Sequence, residues 1–130
     1  MTRLIDTVVL IGYLNPKDRE HKRSKEHISD VISEDGETFV PNTSLIEADL
    51  VMKMRGYTYS EREVSWRTLE SKVPTHRVLQ NSVSSIYSAL RYQEQGLDYF
   101  DSLIASLARE TNSTVITTDK MIGTIVDTEW

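Results

Sequence analysis

Arg3-Leu4-Ile5-Asp6-Thr7-Val8-Val9-Leu10-Ile11-Gly12-Tyr13-Leu14-Asn15-Pro16 is the stretch on which the fold turns. Arg3 to Ile5 reads as a short buried strand, ended by Asp6. Thr7 to Leu14 reads as an apolar helix. Asn15-Pro16 closes it, because the residue before a proline resists the helical region of backbone space. A strand running straight into an apolar helix is the opening of a β-α unit, whose natural home is a parallel sheet covered by helices.

Outward from this stretch the same alternation continues. Lys17 to Ser33 predicts a second helix, charged at its start and apolar at Ile28, Val31 and Ile32. Thr38 to Pro41 predicts a strand, and Ser44 to Arg55 a helix ended by Gly56. Ser60 to Lys72 is expected to be helical and His76 to Leu79 extended. Asn81 is expected to cap a helix whose apolar stripe is Val83, Ile86, Tyr87 and Leu90. Leu97 to Glu110 is strongly amphipathic, Thr114 to Thr117 is a β-branched strand, and a last strand is expected at Thr124 to Val126. No repeat, linker or low-complexity tract interrupts the series, so residues 1–130 are expected to form one domain with a parallel sheet and helices on both faces.

Composition narrows the function. A chain of 130 residues can bury roughly two-thirds of its unfolded surface, enough for a core without staples. There is no Cys, which removes disulfides, thiolate zinc sites and thiol catalysis together. The net charge of −5 argues against a nonspecific nucleic-acid coating protein, though not against an enzyme with a local basic patch. The longest apolar run, Val8 to Leu14, is far short of the about 20 residues needed to cross a bilayer. These features predict a soluble, cytoplasmic protein with no membrane partner.

Four acids stand out by position. Asp6 and Asp119 fall at the carboxyl ends of predicted strands, where sites gather in such sheets. Glu47 shares a helix face with Leu50, Val51 and Met54, taken as the core stripe, whereas Asp49 points away toward Lys53. Asp101 lies within about 40° of Leu97, Ala105 and Ala108 around its helix. Local explanations compete for each: a Ser44-x-x-Glu47 capping box, helix N-caps at Asp6 and Asp119, a hydroxyl or arginine partner for Asp101. Two acids at strand ends and two on inward helix faces can instead converge, and such crowding demands a cation. All-oxygen ligands without Cys suit Mg²⁺ or Mn²⁺.

At these residues the chain resembles a PIN domain, and most of all the VapC-type toxins of toxin–antitoxin pairs. The resemblance rests on Ile5-Asp6-Thr7-Val8-Val9-Leu10, Pro41-Asn42-Thr43-Ser44-Leu45-Ile46-Glu47, Leu97-Asp98-Tyr99-Phe100-Asp101-Ser102-Leu103-Ile104-Ala105 and Val115-Ile116-Thr117-Thr118-Asp119. It implies a three-layer α/β/α sandwich with a mainly parallel central sheet. It also implies a Mg²⁺ or Mn²⁺ site held by Asp6, Glu47, Asp101 and Asp119, with Thr117 holding a carboxylate or water and Thr7 in support. The implied activity is hydrolysis of RNA phosphodiester bonds, in a homodimer restrained by an antitoxin protein. The pattern departs from relatives in lacking an aromatic residue soon after Asp119, and Gly56 to Asn81 aligns with nothing in it.

Substrate phosphates need cations, and Lys53, Arg55 and Lys120 are candidates beside the basic start of the second helix. Tyr57, Tyr59 and Trp66 could stack on bases, with packing the alternative for Trp66. His21 and His27 are expected at the surface, and an antitoxin groove is expected beside the second and third helices. A housekeeping nuclease, an inactive PIN-like RNA-binding module and a phospho-accepting receiver domain are the rival functions. The receiver expects paired acids after its first strand, and here Thr7 follows Asp6.

Overall fold

The computed structural model describes residues 1–130. Its strands are β1 (Arg3–Ile5), β2 (Thr38–Pro41), β3 (Val78–Leu79), β4 (Thr114–Ile116) and β5 (Thr128–Glu129). They form one sheet in the order β3-β2-β1-β4-β5, and every neighbouring pair is parallel. Successive strand residues point to opposite faces. Ile5, Val40 and Ile116 therefore enter one core with Val9, Leu10, Ile28 and Val31. Leu4 and Val115 enter the other with Ile104, Leu107 and Ile122.

Helices α1 (Thr7–Leu14), α2 (His21–Ile32), α3 (Asn42–Met54) and α4 (Tyr59–Glu70) belong to the first face. On the second face α6 (Tyr99–Glu110) packs with α5 (Val83–Glu94). The result is the expected α/β/α sandwich. No helix is long and apolar enough to cross a membrane.

Several boundaries move for local reasons. α2 starts at His21 instead of Lys17, because the Asn15 and Asp18 side chains accept from the backbone N–H of Lys17 and Glu20 and hold the chain in turns. α3 starts at Asn42, which places Ser44 inside the helix, where its Oγ donates to the Ile5 carbonyl at 2.9 Å. Ser82, not Asn81, caps α5. The Asn81 side chain instead accepts from Thr43 Oγ1 at 2.8 Å and donates to Ser85 Oγ and the Leu103 carbonyl, each at 3.0 Å. Of the segment expected to be extended from His76, only Val78–Leu79 is strand, after a tight turn at Thr75–Arg77.

The tail departs most. Ile122 is fully buried and its carbonyl accepts from Ile125 and Val126, so the expected strand at Thr124–Val126 is spent in a turn. β5 follows at Thr128–Glu129, and Trp130 then packs on His27 with ring centroids 5.6 Å apart.

Two apolar stripes depart from expectation, the one on α5 wholly and the one on α3 in part. On α5, Val83, Ile86, Tyr87 and Leu90 are exposed, while Ser85 and Ala89 are buried. Small residues let α5 lie close on α6: Ser106 Oγ donates to the Ser85 carbonyl at 2.6 Å. On α3 the buried residues are Thr43, Ser44, Ala48 and Met52; of the expected stripe Val51 packs on the core, while Leu50 and Met54 lie at the surface. α1 packs against both α2 and α3. Of the groove expected beside the second and third helices, the α2 border holds: an open groove is bordered by α1, α2 and α4, lined by Tyr13, Leu14, His21, Lys25, Val64 and Lys72.

Candidate active site

β1 ends by delivering Asp6 to the carboxyl edge of the sheet, where it also caps α1. Its Oδ1 accepts from the Thr7 N–H at 2.7 Å. Its Oδ2 accepts from Thr117 Oγ1 at 2.6 Å, just past the end of β4. The same Thr117 oxygen accepts from the Asp119 N–H at 2.9 Å, so one hydroxyl ties the first acid to the last loop. Thr7 Oγ1 donates to Glu47 Oε1, which brings α3 to the same point. The Ser44–Glu47 capping box is therefore absent: Thr7 holds Glu47, and Ser44 anchors α3 to β1.

Asp101 enters from the first turn of α6. One oxygen each from Asp6, Glu47 and Asp101 lies within 4.8 Å of the others. Asp119 stands outside that trio but adjoins it, its carboxyl lying beside that of Asp101. Burial, then hydrogen bonding with the neighbouring Asp119 carboxyl, then the charges of Asp6, Asp98 and Asp119 push Asp101 up to about 9. Burial also raises Asp6, against the opposing hydrogen bonds from Thr117 and Thr7, and raises Glu47 against the one from Thr7. No Lys or Arg forms an ion pair with any of the four.

Crowded carboxyls with no internal cation fit a hard divalent ion, since every donor is an oxygen and mutual repulsion is what such an ion removes. The donor set fits neither zinc with thiolates nor a histidine-ligated metal. His21 Nδ1 is engaged with the Gly12 carbonyl at 2.8 Å, and His27 is half-buried against Trp130 instead of lying on the surface.

The PIN-domain family model matches residues 3–126. The chain belongs to the PIN-domain family. The receiver-domain alternative falls with that match. No curated protein matches this PIN domain in sequence. Among solved structures, it is similar to VapBC2 from Rickettsia felis bound to a promoter DNA fragment, with TM-score 0.73 and 16% identity over 100% of this chain and 99% of that one. Mycobacterium tuberculosis VapC20, a toxin that cleaves the sarcin–ricin loop, gives TM-score 0.74 and 15% identity over 95% and 94%. FitAcB from Neisseria gonorrhoeae gives 0.72 and 20% over 98% and 96%. At these identities the likeness is one of fold.

Within this PIN domain a fifth acid, marked in the sequence only by its place at the start of a helix, bears on the site. Asp98 caps α6 by accepting from the Asp101 N–H at 2.8 Å, and its charge bears on Asp6, Glu47 and Asp101. The signal was the three-residue spacing to Asp101, which also describes an ordinary cap. Asp49, assigned to Lys53, instead accepts from Arg62 at 2.6 and 3.0 Å and from Trp66 Nε1 at 2.8 Å. Trp66 is thereby part of the α3–α4 packing and not a base-stacking surface. Lys53, Arg55 and Lys120 are all exposed. Lys120 adjoins Asp119, whereas Lys53 lies about 9 Å along α3 from Glu47 and is turned well away from it.

Proposed function

We propose that this PIN domain is a metal-dependent endoribonuclease and the toxin of a VapBC-type pair. The observation that carries the reading is the convergence of Asp6, Glu47 and Asp101 within 4.8 Å with no protein cation among them. The PIN-family membership and the VapC-like fold support it. Asp6, Glu47, Asp101 and Asp119 would hold Mg²⁺ or Mn²⁺. A divalent ion there supplies Lewis-acid charge that lowers the pKa of water and stabilises the leaving oxygen of a phosphodiester.

The chain's own part is positioning and charge. Thr117 fixes the orientation of Asp6, and Thr7 that of Glu47, so neither carboxylate has to be ordered when substrate arrives. Asp98 adds negative potential without sitting in the trio. Lys120, beside Asp119, is the nearest in sequence of the three candidate cations for an RNA phosphate; Lys53 and Arg55 would serve longer substrates. An antitoxin segment would occupy the groove bordered by α1, α2 and α4. The exposed apolar face of α5 would pair two copies of the chain.

Asp101→Asn tests the reading in manganese-dependent cleavage of single-stranded RNA. Loss should exceed about a hundredfold, beyond the effect typical of a residue that only supports a ligand. Equal activity in the two proteins would eliminate the site.

A further inference from the structure

A strongly acidic chain leaves few arginines without a carboxylate. Arg3, Arg19, Arg23, Arg62 and Arg67 each hold one. Arg77 is buried and donates to the carbonyls of Ser33, Glu34, Gly36 and Thr38. Arg55, exposed at the end of α3, Arg91 and Arg109 have no carboxylate partner, and the last two line the same cleft of about 290 Å³, where α5, α6 and the Ile122–Thr124 turn meet. Arg91 makes no side-chain hydrogen bond. Arg109 has only a long one, 3.4 Å, to the Ile125 carbonyl. Arg109 also borders a neighbouring hollow with Asp127, and no ion pair closes between them.

We infer that this cleft seats a backbone phosphate of the RNA substrate, displaced from the scissile bond. This rests on the nuclease reading of the acids. Two like charges facing one cavity repel unless an anion joins them, and paired guanidinium forks match phosphate oxygens. Tyr92 lines the same cleft and offers a ring to an adjoining base. Both walls lead to the acids along the chain. Gln95, in the cleft, is three residues from Asp98, a reach of at most about 10 Å. Thr124, opposite, belongs to the segment that starts at Asp119 and carries Lys120. A negative site must attract a negative substrate, and cations flanking the acids provide that attraction.

The test joins binding and turnover. Fluorescence anisotropy with a short labelled single-stranded RNA, in EDTA, measures affinity against salt; manganese-dependent cleavage of the same RNA measures kcat and KM. R91Q/R109Q should raise KM about tenfold with kcat within about twofold, and make the salt dependence shallower by about 0.7 to 1 in log–log slope. R91K/R109K should recover most of the affinity, and Arg67→Gln, on α4, should change nothing. Unchanged affinity and slope in R91Q/R109Q, with the wild type cleaving, would overturn the subsite and leave the nuclease reading intact. A wild type that never cleaves, with variants that still bind RNA more weakly, would remove the nuclease reading and keep the phosphate site.

Discussion

Thr117 joins two acids through one oxygen: its hydroxyl donates to Asp6 and accepts from the Asp119 N–H. It is 5% exposed, so no water readily replaces it. Thr117→Val keeps the shape and removes both bonds, leaving Asp6 held only through Oδ1 by the Thr7 N–H. Activity should fall about ten- to a hundredfold, the range for residues that orient a ligand, while Thr117→Ser should retain most of it. Steady-state cleavage assays of the two variants check this; a Val variant as active as the Ser variant would make the hydroxyl dispensable. Asp49 shows the opposite limit of reading residues singly. Its position off the Glu47 face suggested a solvated acid beside Lys53, but α4 covers that side of α3, leaves Asp49 half-buried and supplies Arg62 as its partner.

At the scale of the element, α5 has the clearest unspent surface. Its apolar residues repeat at helical spacing, which in an isolated sequence signals a core-facing stripe. The stripe faces solvent because Ser85 and Ala89 give the closer approach to α6. Val83 is 82% exposed and Leu90 58%, a surface suited to a second copy of the chain. Leu90→Glu should convert a dimer to a monomer in sedimentation velocity, with a stability change within about 0.5 kcal/mol because the side chain is outside the core. A dimer that survives Leu90→Glu and Ile86→Glu would exclude this face. α3 follows the same logic: Glu47 reaches the site, yet its neighbours Leu50 and Met54 do not form the core stripe that first drew attention to it.

The molecule as a whole pays for its site in stability. Asp101 keeps its proton in the folded chain up to about 9 and loses it near the ordinary aspartate range when unfolded. The folded state therefore binds the extra proton between these limits, so metal-free stability should fall as pH rises from about 4 to 9. Urea unfolding in EDTA should show the decline in wild type and a flatter profile in Asp101→Asn. Adding Mn²⁺ at pH 8 should raise wild-type stability, by about 2.7 kcal/mol at a hundred times the dissociation constant; no gain would speak against a metal at these acids. The sequence by itself determined the alternation of strands and helices and the parallel sheet, and it singled out four acids as candidates, because local periodicity and strand-end position are encoded within a few residues. Only the tertiary structure decided that Thr7 holds Glu47, that Asp98 joins the acidic field, that α5 turns its large residues outward and that β5 begins at Thr128. Each of these depends on which small residue lets two elements approach, and a distance between segments far apart in the chain is not written in either segment alone.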